Sequence, residues 1–339
     1  MNILMVSDSF YPNVGGIEII TEILADEFTD LGHIVKIVTM TEEMGNKAFP
    51  YEVIRKPPII QMWQLYNWCD VFVHQQISLK KVWPVFLKRK PWIIVYHQVG
   101  WQSGFLGKMK SLFSKFSTKN ICVSKTTANG YRLKHYDIIY NAYNDLIFKK
   151  FNNKRRRDII FVGRLSRDKG VYLLIEAFND FKEKTASDYI LNIVGDGVER
   201  NKIESFACGT KYAKDIHFLG KKDQSDISKM LNEHRILAVT STHPYYEAFG
   251  IVALEGLACG CIVIGADGDG IEEALHDIGL LYKNGNKKSL CNAFIVAYTM
   301  KENEIIERYM LASEWLKTRT MKKVAEEYIL LFNKLLGHG

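Results

Sequence analysis

Short, β-branched apolar runs recur along the whole chain, and this recurrence constrains its fold more than any other feature. They stand at Ile3–Val6, Val35–Thr39, Val71–His74, Trp92–Tyr96, Ile121–Val123 and Ile138–Tyr140. After a break they resume at Ile159–Val162, Ile190–Val194, Ile216–Leu219, Ile236–Val239, Ile262–Ile264 and Leu280–Tyr282. Several are apolar at nearly every position, as in parallel strands covered on both faces. Helix-length segments such as Ile17–Leu31 and Val171–Lys184 separate most of them. Parallel strands need a crossover connection, so the alternation predicts α/β units with right-handed crossovers. The series occurs twice, and 339 residues exceed one typical core. The expected architecture is two Rossmann-like domains at 1–145 and 158–318, a linker at 146–157, and a terminal segment at 319–339. That segment reads as a helix over roughly Thr320–Leu336 with an apolar face of Val324, Tyr328, Leu331 and Leu335. The break holds the basic run Lys149–Arg157, read as a solvated linker in preference to a nucleic-acid contact.

Composition removes several classes. With 47% hydrophobic and 24% charged residues the chain is globular, not disordered. Cys69, Cys122, Cys208, Cys259, Cys261 and Cys291 are scattered, with no CxxC pair. No zinc site or other metal site is expected, and a reducing, cytoplasmic setting is. Met1-Asn2 leads straight into Ile3–Val6 without a leader pattern, and no apolar stretch reaches the ~20 residues of a membrane span. The net charge of +7 is uneven: residues 1–150 hold 18 basic and 12 acidic side chains. Between Val71 and Tyr136 there are twelve Lys or Arg and no Asp or Glu. A one-sided basic surface implies an anionic partner.

Chemistry is expected at the carboxyl ends of the strands, where open α/β sheets bind ligands. The first strand runs into Ser7-Asp8-Ser9-Phe10-Tyr11-Pro12-Asn13-Val14-Gly15-Gly16. Paired glycines before a helix let backbone N–H groups approach an anion, although a merely tight turn is the alternative. This is not the GxGxxG dinucleotide fingerprint, so no nicotinamide or flavin cofactor is expected. His97 ends the strand Trp92–Tyr96 and either meets a sugar hydroxyl or is a structural histidine. Arg164 and Lys169 follow the first strand of the second domain, where Arg can fork onto phosphate oxygens and Lys adds a compact charge. Glu247-Ala-Phe-Gly-Ile-Val-Ala-Leu-Glu255 places two carboxylates eight residues apart. A helix starting near Gly250 would turn free backbone N–H groups and a positive dipole end towards a phosphate. Eight helical residues would span about 12 Å, the reach from ribose to sugar across a nucleotide diphosphate. An ordinary amphipathic helix with solvated ends is the alternative.

The order Gly15-Gly16, His97, Gly163-Arg164 to Lys169, and Glu247 to Glu255 resembles the retaining GT-B glycosyltransferases that carry the Glu-x7-Glu motif, family 4 or group 1. The resemblance covers nearly the whole chain and is most specific over Phe161–Gly170 and Glu247–Gly260. It implies two facing Rossmann-like domains, the last helix crossing back to the first. It further implies that Arg164 and Lys169 bind the donor diphosphate, Glu255 the ribose, and Glu247 the transferred sugar. The N–H groups around Phe249-Gly250-Ile251 would face the phosphates, and the Gly15-Gly16 loop would close over them. The implied reaction is metal-free transfer of a hexose, from a UDP-sugar in preference to a GDP-sugar, to a lipid-linked or cell-surface glycan precursor. The alternatives are an epimerase of the same fold and a non-catalytic partner subunit. The sequence departs from the family at Gln98, Ala142 and Cys261, where Asp, Gly and Pro are frequent.

One helix points elsewhere. On a wheel of Ser103–Thr118, Phe105, Leu106, Met109, Leu112, Phe113 and Phe116 fall within about 120°. Lys108, Lys110, Lys115 and Lys119 flank that arc, with Lys80-Lys81 and Lys88-Arg89-Lys90 nearby. Such a helix either packs its arc on the sheet or lies on an anionic lipid surface with its lysines snorkelling. The second reading is preferred because the region lacks acids, and it makes the protein peripheral at the inner membrane face.

Overall fold

The computed structural model describes residues 1–13, 15–44, 46–100, 104–151, 158–242 and 247–337. The chain forms two compact units, Met1–Ala142 with Arg319–Gly339, and Tyr143–Thr318. Of the expected linker, residues 152–157 lie outside the described residues.

The first unit is built on a parallel sheet of seven strands: β1 Asn2–Val6, β2 Ile34–Thr39, β3 Glu52–Arg55, β4 Val71–Gln75, β5 Trp92–Tyr96, β6 Lys119–Cys122 and β7 Asp137–Ile138. Their spatial order is β3-β2-β1-β4-β5-β6-β7. The second unit holds six parallel strands: β8 Ile159–Val162, β9 Leu191–Val194, β10 Ile216–Gly220, β11 Ile236–Val239, β12 Ile262–Ala266 and β13 Leu280–Tyr282. They run β10-β9-β8-β11-β12-β13. In each sheet the order reverses beside the first strand, between β1 and β4 and between β8 and β11. Such a switch point opens a crevice at the carboxyl ends of the two strands.

Every residue of β4, β5, β11 and β12 is buried, because helices cover both faces of each sheet. The edge strand β3 carries no apolar run. Only its Ile54 is buried, and Glu52 is exposed.

The terminal helix Met321–Leu336 starts at Thr320, whose hydroxyl accepts the Lys323 N–H at 3.3 Å. It belongs to the first unit and buries Val324, Ala325, Tyr328 and Phe332. Phe28, on the helix Gly16–Asp30, meets Tyr328 and Phe332 edge-on at 6.2 and 5.7 Å between ring centroids. Leu331 and Leu335, expected on this face, are only half-buried, since a strict i, i+4 row carries the contact through Phe332 instead. Phe332→Ala should destabilise the protein by about 3–5 kcal/mol, the usual cost of emptying a buried aromatic site. Urea unfolding read by circular dichroism checks this, and a loss below about 1 kcal/mol would refute the packing role.

Candidate functional site

The site in the second unit grows from two adjacent strand ends. β8 pairs with β11 in parallel, Ile159 with Ile236 and Ile160 with Leu237. After β8 the chain turns through Gly163 and Arg164, and Arg164 is exposed. The turn is braced by the next strand end, where Leu165 donates its N–H to the Asp196 carbonyl at 2.9 Å. Gly195 has φ 136°, and a Cβ there would lie 1.8 Å from the Gly163 carbonyl oxygen. Only glycine allows this approach.

After β11, three consecutive hydroxyl residues tie neighbouring loops together. Thr240 Oγ1 donates to the Lys169 carbonyl at 3.0 Å, and Thr242 Oγ1 to the Arg167 carbonyl at 3.2 Å. Ser241 Oγ donates to the carboxylate of Asp269. Residues 243–246 lie outside the described residues. At Glu247 the chain returns beside Lys169, and Lys169 Nζ donates to Glu247 Oε2. The two side chains are 25% and 24% exposed, so the pair is open enough to exchange partners. The cation expected on a phosphate and the carboxylate expected on a sugar thus hold each other in this structure.

Gly250 caps the helix Ile251–Ala258 from the left-handed region, at φ 81° and ψ 68°, with no side-chain cap. The N–H groups of Ile251 and Val252 therefore have no intrahelical acceptor, while the Ala253 N–H donates to the Gly250 carbonyl at 2.9 Å. The expected helical span needs correction. Glu247 lies on the loop, and only the stretch from Ile251 to Glu255 is helical, a rise of about 6 Å. The Phe249 side chain is buried in the core. Glu255 is also buried, and burial pushes its carboxyl up from 4.5 to about 8.

In the first unit, Gly15 caps the helix Gly16–Asp30 in an extended conformation that any residue adopts. Space, not φ, distinguishes the two glycines. A Cβ on Gly15 would meet Glu18 Oε2 at 2.6 Å, while Gly16 faces open space. Glu18 braces the loop by accepting the Ser9 hydroxyl at 2.5 Å, and Asn13 Nδ2 donates to Ser9 Oγ at 3.0 Å. Val14 lies outside the described residues. His97 is buried, its Nε2 2.6 Å from Gln75 Oε1. Burial lowers its pKa to about 4, so the ring is neutral near pH 7. An amide oxygen only accepts, so this contact puts the ring proton on Nε2 and leaves Nδ1 as an acceptor.

The basic helix spans Phe105–Ser114 and ends sooner than expected; Ser103 lies outside the described residues. Its buried face is made of small residues, Gly107 and Ser114. The apolar arc lies opposite, with Phe105 74%, Leu106 59%, Leu112 48% and Phe116 62% exposed. Phe113 corrects the expectation: it packs on the first-unit core, and its ring lies 5.3 Å from that of Phe86. It sits at the edge of the arc, where the helix meets its neighbour. Met109 is half-buried, Lys110 likewise, and Lys108 and Lys115 are exposed. Phe86 and Leu87 extend the exposed apolar surface beside the Lys88-Arg89-Lys90 run, with Phe86 5.6 Å from Phe116.

The profile of the family described as "Glycosyl transferases group 1" matches residues 143–309, nearly all of the second unit. An uncharacterized glycosyltransferase of Methanocaldococcus jannaschii is 34% identical over 187 residues, 52% of this chain and 50% of that protein. A protein of the human phosphatidylinositol N-acetylglucosaminyltransferase is 26% identical over 332 residues, 86% of this chain and 67% of its own length. The match to the archaeal relative spans only half of that protein. Among solved structures, Anabaena HepE, crystallised with UDP and glucose, superposes with a TM-score of 0.81 at 18% identity, covering 98% of this chain and 100% of that one. The fold is therefore GT-B. Residues 143–309, most of the second unit, carry the group 1 glycosyltransferase signature.

Glu255 gives a pH test of the site. Unfolded, its carboxyl ionises near 4.5, whereas the folded protein holds the proton up to about 8. Between these values unfolding releases a proton, so rising pH erodes the stability of the wild type through this group. Glu255→Gln removes the effect. The melting temperature of the variant relative to wild type should rise steadily between about pH 5 and pH 8. Calorimetric scans across that range check it, and a pH-independent difference would contradict the buried carboxyl.

Proposed function

We propose that this chain is a retaining glycosyltransferase that moves a hexose from a nucleotide-diphosphate sugar to a hydroxyl of a lipid-linked or cell-surface glycan precursor. The observation that carries the reading is the convergence of Arg164, Lys169, Glu247 and the open N-terminus of the helix Ile251–Ala258 at neighbouring ends of β8 and β11. A leaving diphosphate needs positive charge where its own charge develops, and two cations with oriented N–H groups supply that without a metal. Glu255 faces the ribose, whose hydroxyls give its carboxylate the donors it otherwise lacks. His97 meets a sugar hydroxyl, and the Gly15-Gly16 loop closes over the diphosphate, as the family resemblance implies for that loop. UDP is the preferred nucleotide, in keeping with the UDP bound by Anabaena HepE, and GDP the second choice. The lipid-linked acceptor accords with the phosphatidylinositol in the human relative's name.

In the reaction, the bond from the anomeric carbon to the diphosphate oxygen breaks, and the acceptor oxygen bonds to the same face. The acceptor proton passes to the leaving phosphate oxygen. Arg164 and Lys169 stabilise the departing charge, and Glu247, released from Lys169 as the phosphates claim the ammonium, steadies the cationic anomeric carbon. Arg164→Ala and Lys169→Ala should each lower turnover by at least ~100-fold, about 2.7 kcal/mol. Turnover of a panel of nucleotide sugars, with and without acceptor extract, checks this. Near-normal activity in both variants would refute the site, and donor consumption independent of acceptor would point to an epimerase.

The acceptor's membrane is met, in this reading, by the outward arc of the helix Phe105–Ser114. An apolar arc flanked by lysines suits an anionic leaflet, where each Lys or Arg near the surface contributes about 1 kcal/mol. No described helix is long and apolar enough to cross a membrane. Phe105→Ser and Phe116→Ser should weaken binding to anionic vesicles with little change in melting temperature. Phe113→Ser should instead lower the melting temperature, because its ring packs on the core. Co-sedimentation at low and high salt checks both. Binding indifferent to the two exposed rings and to replacement of Lys108 and Lys115 by Gln would remove the membrane role.

A further inference from the structure

The loop after β12 carries a carboxylate that the proposed reaction does not use. Asp269 is 1% exposed, and its oxygens are arranged around Glu247. Oδ2 accepts the Ser241 hydroxyl and the Glu247 N–H, the latter at 3.4 Å. Oδ1 accepts the Ile271 N–H at 2.8 Å, capping the short helix Gly270–Leu275. The next residue completes the grip: Gly270 donates its N–H to the Glu247 carbonyl at 2.9 Å. A Cβ on Gly270 would stand 2.1 Å from the Ala248 carbonyl oxygen, so the two loops lie backbone to backbone. Both main-chain polar groups of Glu247 are therefore held by residues 269 and 270. Ser241 is itself fixed, since the Tyr282 hydroxyl donates to its carbonyl at 3.1 Å.

Residues 240 and 241 thus place both halves of the Lys169–Glu247 pair. Thr240 holds the Lys169 main chain, and Ser241, through Asp269, holds that of Glu247. We propose that Asp269 is a positioning residue for transfer: fixed by Ser241 and the Ile271 N–H, its carboxylate anchors the Glu247 main chain and so aims the Glu247 side chain at the reacting sugar. The proposal rests on Glu247 acting on that sugar. It makes a specific chemical demand, three hydrogen-bond donors converging on one buried side chain. Aspartate meets that demand. Asparagine does not, because its NH2 must face one of the N–H or O–H donors.

Burial raises the Asp269 carboxyl to about 7, against the lowering pull of its hydrogen-bond donors. The charged or titratable groups around it are Glu247, itself paired with Lys169, and Asp267 and Tyr282. Protonation gives the side chain a donor of its own and weakens the anchor in the same way as the amide does.

The test is kinetic, on the full chain with donor and acceptor. Asp269→Asn should lower kcat by about ten- to fiftyfold and change the Kd for the sugar-free nucleoside diphosphate by less than about twofold. Placed in a Glu247→Gln background, the same substitution should cost less than about threefold, since the aimed group is already gone. The ratio of wild-type to Asp269→Asn kcat should shrink as pH falls from about 8 to about 6. Ser241→Ala, which removes one donor and leaves the carboxylate, should cost about three- to tenfold and serves as well if Asp269→Asn does not fold. Wild-type kcat in the folded variants, or an equal loss in both backgrounds, overturns the positioning role. If Glu247→Gln alone leaves kcat unchanged, the transferase assignment of Glu247 fails and takes this role with it.

Discussion

The second unit depends on how the chain is held where it leaves β11. That strand is buried along its length, and its neighbour β8 nearly so, which keeps the polar groups at their ends from all turning to water. Three hydroxyls resolve this by bonding to the loops on either side. The contrast between two buried acids shows what such donors do. Asp269 has three donors around its carboxylate, and they pull its pKa down against the burial that raises it. Glu255 has no side-chain hydrogen bond among the described residues, and desolvation alone pushes it up to about 8. One acid is built into the protein's own framework. The other lacks such donors among the described residues, which accords with the proposed ribose-binding role.

Much of this fold is legible in the sequence because parallel strands are buried on both faces and stand out as uninterrupted apolar runs. Each of the twelve runs coincides with or adjoins one of the thirteen strands among the described residues. The thirteenth, β3, pairs on one side only and keeps Glu52 and Arg55 out of the core, so no run marks it. The helix start read near Gly250 agrees with the structure, where Gly250 caps Ile251, but the eight-residue helical reach does not, because Glu247 lies on a loop. The candidate site residues can be named from the sequence, but their pairing cannot. Lys169 and Glu247 are 78 positions apart and meet only because β8 and β11 are neighbours in the sheet. Asp269 is visible as part of a glycine-rich loop, but its grip on Glu247 needs β12 to lie beside β11.

The helix Phe105–Ser114 shows where periodicity stops being informative. A wheel identifies an apolar arc but not which face meets the protein. Here the small face wins, because Gly107 and Ser114 let the helix axis approach closely, and large rings on that side would hold it away. The six-residue arc is left pointing outward except at Phe113, which is caught against Phe86 and the core. Exposed phenylalanines are costly to leave in water. Their setting in a 66-residue stretch with twelve cations and no acids gives the patch a charge partner as well as an apolar one.

On its face, the Lys169–Glu247 pair competes with the roles assigned to its members. Its exposure argues otherwise. With about a quarter of each side chain open to solvent, the pair is screened and contributes on the order of 0–1 kcal/mol, as partly exposed ion pairs do. A diphosphate brings at least two negative charges to the same ammonium, together with Arg164 and the first-turn N–H groups of the helix behind Gly250. In the proposed reaction it would therefore outcompete a single carboxylate for Lys169. The displaced carboxylate would stay where its main chain is tied. In the proposed reaction the ion pair would act as a placeholder, neutralising both groups and yielding to the donor diphosphate.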